Sequence, residues 1–183
     1  MTTFFRSVLM CLVGAMNAGC IVNSSNALPD GGIPSANRAV IVYGVKVEGA
    51  WPHPAFPLDL AEYDIGQQNI TGNCFRFNRT ETRVSPLPGT VKYVAFDVRP
   101  GYYIYSPFNV APFEVEVVSF EARAGKTVYI GDFIYEKSQQ VSLVRQLDTA
   151  REVIVQALPK LKGQITLATA AAATRPRAFV CTP

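Results

Sequence analysis

The chain has 183 residues, 49% of them hydrophobic and 17% charged, with a formal net charge of +3. That length suits one domain with a real core and is short for two. The few excess cations form no basic stripe with interleaved aromatics, which argues against nucleic acid as a partner.

The first predicted element is a leader. Residues 1–19 have the layout of a secretory signal, with Arg6 as the only charge, a short apolar core over residues 8–15, and small residues after it. A spanning helix needs about 20 apolar residues, and this run stops at Asn17. Ala18-Gly19-Cys20 then resembles the lipobox of bacterial lipoproteins, in which small residues precede a cysteine; Asn17 stands where that box usually has Leu. The resemblance implies that the Cys20 thiol accepts a diacylglyceryl group and that cleavage frees its amine for a third chain. Each buried methylene contributes about 0.8 kcal/mol, so two or three chains hold firmly where one does not. An ordinary signal, cut nearby or after Ser25-Asn26-Ala27, is the alternative, and a retained N-terminal anchor helix is a third. Ile21 rather than Asp follows the cysteine, so the resemblance places the protein at the outer membrane of a bacterial envelope, facing the periplasm.

Residues 20–37 are polar and rich in Gly, Pro, Ser and Asn, and read as a flexible tether. The domain then runs over residues 38–183. Ala39, Ile41, Tyr43, Val45 and Val47 share one face of an extended segment. Val40 and Val42 start the other face, which ends polar at Lys46 and Glu48. Three prolines exclude regular structure from residues 50–57. Further strands are expected over 58–63, 74–77 and 91–98. Pro100-Gly101 predicts a hairpin into 102–105. Phe113, Val115 and Val117 alternate with Glu114 and Glu116; the parity then slips, which predicts a bulge or break near Val117. Residues 127–135 read as a buried strand in which Gly131 marks a bulge or a close backbone approach. One helix is expected over 148–161, with Asp148 as N-cap and an apolar stripe of Ala150, Val153, Ile154, Ala157, Leu158 and Leu161. Ile165 and Leu167 begin a short strand. The expected fold is mainly β: an antiparallel sandwich of about seven strands with that single helix.

Two stretches, 97–104 (DVRPGYYI) and 119–132 (SFEARAGKTVYIGD), followed by Ala150-Arg151, resemble a family of bacterial envelope lipoproteins of unknown function. Their small β-sandwiches are similar in outline to transthyretin-like or carboxypeptidase-regulatory-like domains. The resemblance covers residues 91–161 and implies no catalytic residues.

Cysteine arithmetic fits export. Cys11 leaves with the leader and Cys20 carries lipid, which leaves Cys74 and Cys181, an even pair for an oxidising compartment. Two separate buried thiols are the alternative. No CxxC occurs, and the single histidine, His53, cannot assemble a His-based metal site. Neither a Gly-x-Ser-x-Gly elbow nor a P-loop is present. No cofactor is expected. Trp51, His53, Tyr102 and Tyr103 are a candidate contact surface, weighed against ordinary packing and a proline-stiffened loop. Glu114 and Glu116 resemble an acid–base pair only in spacing, since residues two apart on a strand more often form a solvated face. Asp132 reads as a turn cap rather than a calcium ligand. The expectation is thus a non-catalytic, membrane-anchored module with an unidentified envelope protein as partner. A carbohydrate- or peptidoglycan-binding domain, taking a glycan, is the alternative, and a hydrolase built on His53 comes third.

Overall fold

A computed structural model describes residues 21–53, 55–113 and 117–181. The leader, Cys20, Glu114 and Glu116 lie outside the described residues. In chain order the strands are β1 (Asn26–Ala27), β2 (Ala39–Val47), β3 (Phe56–Asp64), β4 (Asn69–Ile70), β5 (Arg79–Val84), β6 (Lys92–Val98), β7 (Gly101–Tyr105), β8 (Val118–Ala122), β9 (Thr127–Tyr135) and β10 (Val141–Val144). The helix α1 (Leu147–Ala157), β11 (Ile165–Leu167) and β12 (Ala170–Ala172) follow.

These strands form two sheets. The first has the order β1-β6-β2-β9-β10, with β11 also on β9; the second has the order β12-β8-β7-β3-β4, with β5 also on β3. The two sheets face one another across a core that includes Ile41, Tyr43, Leu58, Leu60, Tyr103 and Phe133. The fold is therefore mainly β and sandwich-like, but it has twelve described strands rather than seven, and the first sheet is mixed. β2 runs antiparallel to β6 and parallel to β9, and β11 is also parallel to β9.

The face expected for β2 is the one it buries. Ile41, Tyr43 and Val45 enter the inter-sheet core, where Tyr43 stacks on Phe96 at 5.8 Å and meets Phe133 edge-on at 5.7 Å. Val40 and Val42 point the other way, into a second core beneath α1 with Tyr93, Tyr129, Ile154 and Leu158. A third core covers the outer face of the second sheet, where Phe77, Phe108 and Phe179 meet edge-on with centroids 5.0 to 5.5 Å apart. The chain thus stacks helix, sheet, sheet and C-terminal tail.

Gly131 makes the predicted bulge. Between the pairs Val42↔Tyr129 and Gly44↔Asp132, β9 carries one residue more than β2. Val128 and Ile130 before the bulge, and Phe133 and Tyr135 after it, consequently share the inter-sheet face. Gly131 sits at φ 142°. A Cβ there would meet the Val144 carbonyl oxygen at 2.9 Å and Leu143 Cδ1 at 2.7 Å, so the approach is also close.

Several expectations are corrected. The Pro100-Gly101 corner is no hairpin, because β6 belongs to the first sheet and β7 to the second. Pro and Gly serve equally well where the chain arches between sheets. Residues 74–77 hold only a single bridge, Val22 to Arg76, and the strand on that side is β5. The helix starts at Leu147, with Gln146 at the N-cap position and Asp148 inside the first turn. It ends before Pro159, and its buried stripe is narrower than expected, since Val153 is exposed. Residues 21–37 are not a free tether: β1 pairs with β6, and Leu28 N–H donates to the Ala95 carbonyl at 2.8 Å. Backbone bonds to a strand edge need no apolar side chain, so a polar composition did not announce the docking.

Candidate functional site

The first described residues are bonded down at one end of the sandwich, where they cross the start of β5. Val22 N–H donates to the Phe75 carbonyl at 2.8 Å, and Phe77 N–H returns to the Val22 carbonyl at 3.1 Å. Asn23 Nδ2 donates to the Arg79 carbonyl at 2.8 Å, while its Oδ1 accepts from Arg79 N–H at 3.2 Å. Ser24 donates from both N and Oγ to Asn78 Oδ1, whose amide in turn donates to Glu62 Oε2 at 2.6 Å. Asn23, Ser24 and Asn78 are residues whose short polar side chains bond to nearby backbone, and here they lash the entering chain down.

At the same end Cys74 and Cys181 stand at disulfide distance, with Cα atoms 5.6 Å apart. The sequence separation of 107 residues ties the C-terminal tail to the β4–β5 loop. Thr174 N–H donates to Gln68 Oε1 at 2.8 Å, and Arg177 N–H donates to Asn69 Oδ1 at 2.9 Å. The tail therefore lies along the second sheet before it reaches the cysteine.

Two buried polar clusters, neither singled out as a cluster from the sequence, sit elsewhere. Asp59 lies on the outer face of β3 with a side chain only 3% exposed, 3.3 Å from Arg79 Nη1. Its other oxygen has no partner among the described residues. Burial outweighs the adjacent guanidinium and pushes the carboxyl up to about 6. A proton held in that range suits acid–base work, while the enclosure leaves the carboxyl little contact with solvent. The second cluster lies beneath α1, where Tyr129 Oη donates to Asp132 Oδ1 at 2.7 Å and Tyr93 Oη to Oδ2 at 3.3 Å. Burial raises the Asp132 carboxyl against both hydroxyls, which favour its charged form. It also pushes Tyr93 up to about 12. Asp132 is thus held inside β9 and caps no turn. Gly44 makes room for it, since a Cβ on that residue would stand 2.1 Å from Asp132 Oδ1.

The candidate contact surface does not come together. Tyr103 is buried between the sheets and donates to the Arg99 carbonyl at 3.0 Å, whereas Tyr102 faces the opposite side of β7. Trp51 is half-buried and plugs the sandwich against Phe56 and Tyr135, with centroids 5.4 and 5.1 Å away. Only His53 is exposed, with its ring 6.4 Å from Phe56. Among the described residues His53 makes no hydrogen bond to a hydroxyl or carboxylate, and no group of three metal-ligating side chains occurs. A concavity of about 360 Å³ between Tyr105, Asn109, Phe113 and Arg175 is mainly apolar. Another of about 410 Å³ is lined equally by polar and apolar surface, with Arg123 on its wall paired to Glu121 at 2.8 Å. No family model, curated protein or solved structure matches this chain.

Proposed function

We propose that this chain is a bacterial envelope lipoprotein, acylated on Cys20, whose sandwich domain is a non-catalytic structural or protein-interaction module at the outer membrane. The observation that carries the reading is the apolar run of residues 8–15 followed by Ala18-Gly19-Cys20. The Cys74–Cys181 pair at disulfide distance supports an oxidising compartment. A protein partner is favoured over a glycan by β12, an uncharged Ala170–Ala172 edge paired with β8 on one side only among the described residues. Such an edge is a template for strand addition, whereas no row of exposed aromatics is assembled among the described residues.

Metabolic labelling with a palmitate analogue tests the anchor. The wild-type chain should take up label in the membrane fraction and Cys20→Ser should not. Label that survives the substitution, or a bare Cys20 on a water-soluble mature chain, refutes the anchor. Crosslinking in the same membranes tests the partner, and recovery of the chain with no protein attached refutes the interaction role.

A further inference from the structure

The proposed anchor has no slack. Val22 is bonded to the β4–β5 loop through both its N–H and its carbonyl, and a residue spans at most about 3.6 Å, so the two-residue step from Val22 to Cys20 gives a lipid on that cysteine a leash of about 7 Å at most. Acyl chains on Cys20 would therefore draw this end of the sandwich to the headgroups. The surface found there suits that position. Of the eleven exposed large apolar side chains among the described residues, four belong to this end: Ile21 at 52% exposure, Val22 at 58%, Phe75 at 70% and Val180 at 83%. Scattered exposed apolar residues need no explanation, but a cluster does. Phe75 follows Cys74 and Val180 precedes Cys181, so the cysteine pair holds the loop and the tail side by side. Phe77 and Phe179 turn inward to each other at 5.2 Å, which leaves Phe75 and Val180 outward. Arg76 and Arg177 are exposed nearby on the same two segments, and neither has a carboxylate partner among the described residues. Outward apolar side chains flanked by arginines fit the boundary between acyl chains and anionic headgroups.

We propose that this end of the domain docks on a bilayer leaflet carrying anionic lipid, with Phe75 and Val180 inserted beside the acyl chains of Cys20. The proposal rests on the lipoprotein reading and adds which face of the domain meets the membrane. The sandwich would lie on the leaflet rather than swing from it.

The test uses the full chain carrying Phe75→Trp, with Leu87→Trp as control. Leu87 is exposed beyond the opposite end of β5, so neither substitution disturbs the core, and Trp51 contributes the same background to both. Each chain is recovered from bacterial membranes, weighed by mass spectrometry to read acylation, and reconstituted in phosphatidylethanolamine–phosphatidylglycerol vesicles with or without brominated acyl chains. Bromolipid should quench Phe75→Trp and spare Leu87→Trp. Acylated chains quenched equally at both positions overturn the docking and leave the anchor standing. Phe75→Trp emission that is blue-shifted yet unquenched points to a protein covering the patch, and also overturns it. If the mass shows no lipid, the lipoprotein reading fails, and sedimentation of that unacylated chain with phosphatidylglycerol vesicles decides the surface. Salt-sensitive binding that Phe75→Ser weakens about tenfold or more supports the patch, and absence of binding overturns it.

Discussion

Replacing both Cys74 and Cys181 with Ser should cost more stability than any single core truncation of moderate size. The two residues are 107 apart in sequence. In the chain-entropy description, a link of that span removes about 16 cal/mol/K from the unfolded ensemble, or about 4.8 kcal/mol at 25 °C. The native tail does not depend on the link alone, because Phe179 is packed between Phe77 and Phe108, and Thr174 and Arg177 are bonded to Gln68 and Asn69. The loss therefore comes mainly from a freer unfolded chain, with the folded core unchanged. At about 2–4 °C per kcal/mol for a domain of this size, the melting temperature should fall by about 10–20 °C. Calorimetry of the oxidised wild type against the double variant reads the shift directly, and the reduced wild type should match the variant. Urea unfolding should show a steeper denaturant dependence once the cross-link is gone. Two free thiols in the denatured, unreduced protein would refute the bond itself. An intact bond whose removal shifts the melting point by less than about 3 °C would refute its stabilising the fold by constraining the unfolded chain.

Gly44→Ala should destabilise by about 1–3 kcal/mol, because its Cβ falls 2.1 Å from Asp132 Oδ1 and 2.6 Å from Val91 Cγ1; urea midpoints measure it, and an unchanged midpoint contradicts the close packing. The folded Asp59 carboxyl sits at about 6 against an ordinary 3.8, so folding favours its neutral form. Its contribution is full below about pH 4 and is lost as pH rises through about 6, a swing of about 3 kcal/mol. Asp59→Asn should therefore gain on the wild type by up to about that amount between pH 4 and 7. A pH-independent difference between the two chains would show that Asp59 is not buried as a carboxylate. These expectations stand beside the Cys20→Ser labelling and the Phe75→Trp quenching described above.

What the sequence made legible was periodicity over long segments. β2 and β9 each have nine residues, enough for alternation to assign faces, and Gly131 correctly marked the place where β9 changes parity. Two-residue strands such as β1 and β4 carry no period, so they were not expected. β5 was missed for a different reason: Arg79, Glu81 and Arg83 dominate its reading, although Thr80 and Val84 turn into the core. Pairing partners were the least legible, since Pro100-Gly101 makes a corner in an arch as readily as in a hairpin. For the site, the cysteines could be counted and paired by number. The docking of residues 21–25 could not, because it rests on backbone bonds and on Asn and Ser side chains that look like those of any loop. Asp59 and Asp132 were hidden because a carboxylate's burial depends on what folds over it.

The parallel pairing of Val40 with Thr127, extended by Ile165 on that same Thr127, sets an order of assembly. The β2–β9 ladder cannot close until Tyr135 is present, and contacts this distant in sequence form slowly. Before then β2, buried along nearly its whole length, has β6 but no β9 to lie against. That open edge of β2 is a template for wrong strands until β9 covers it.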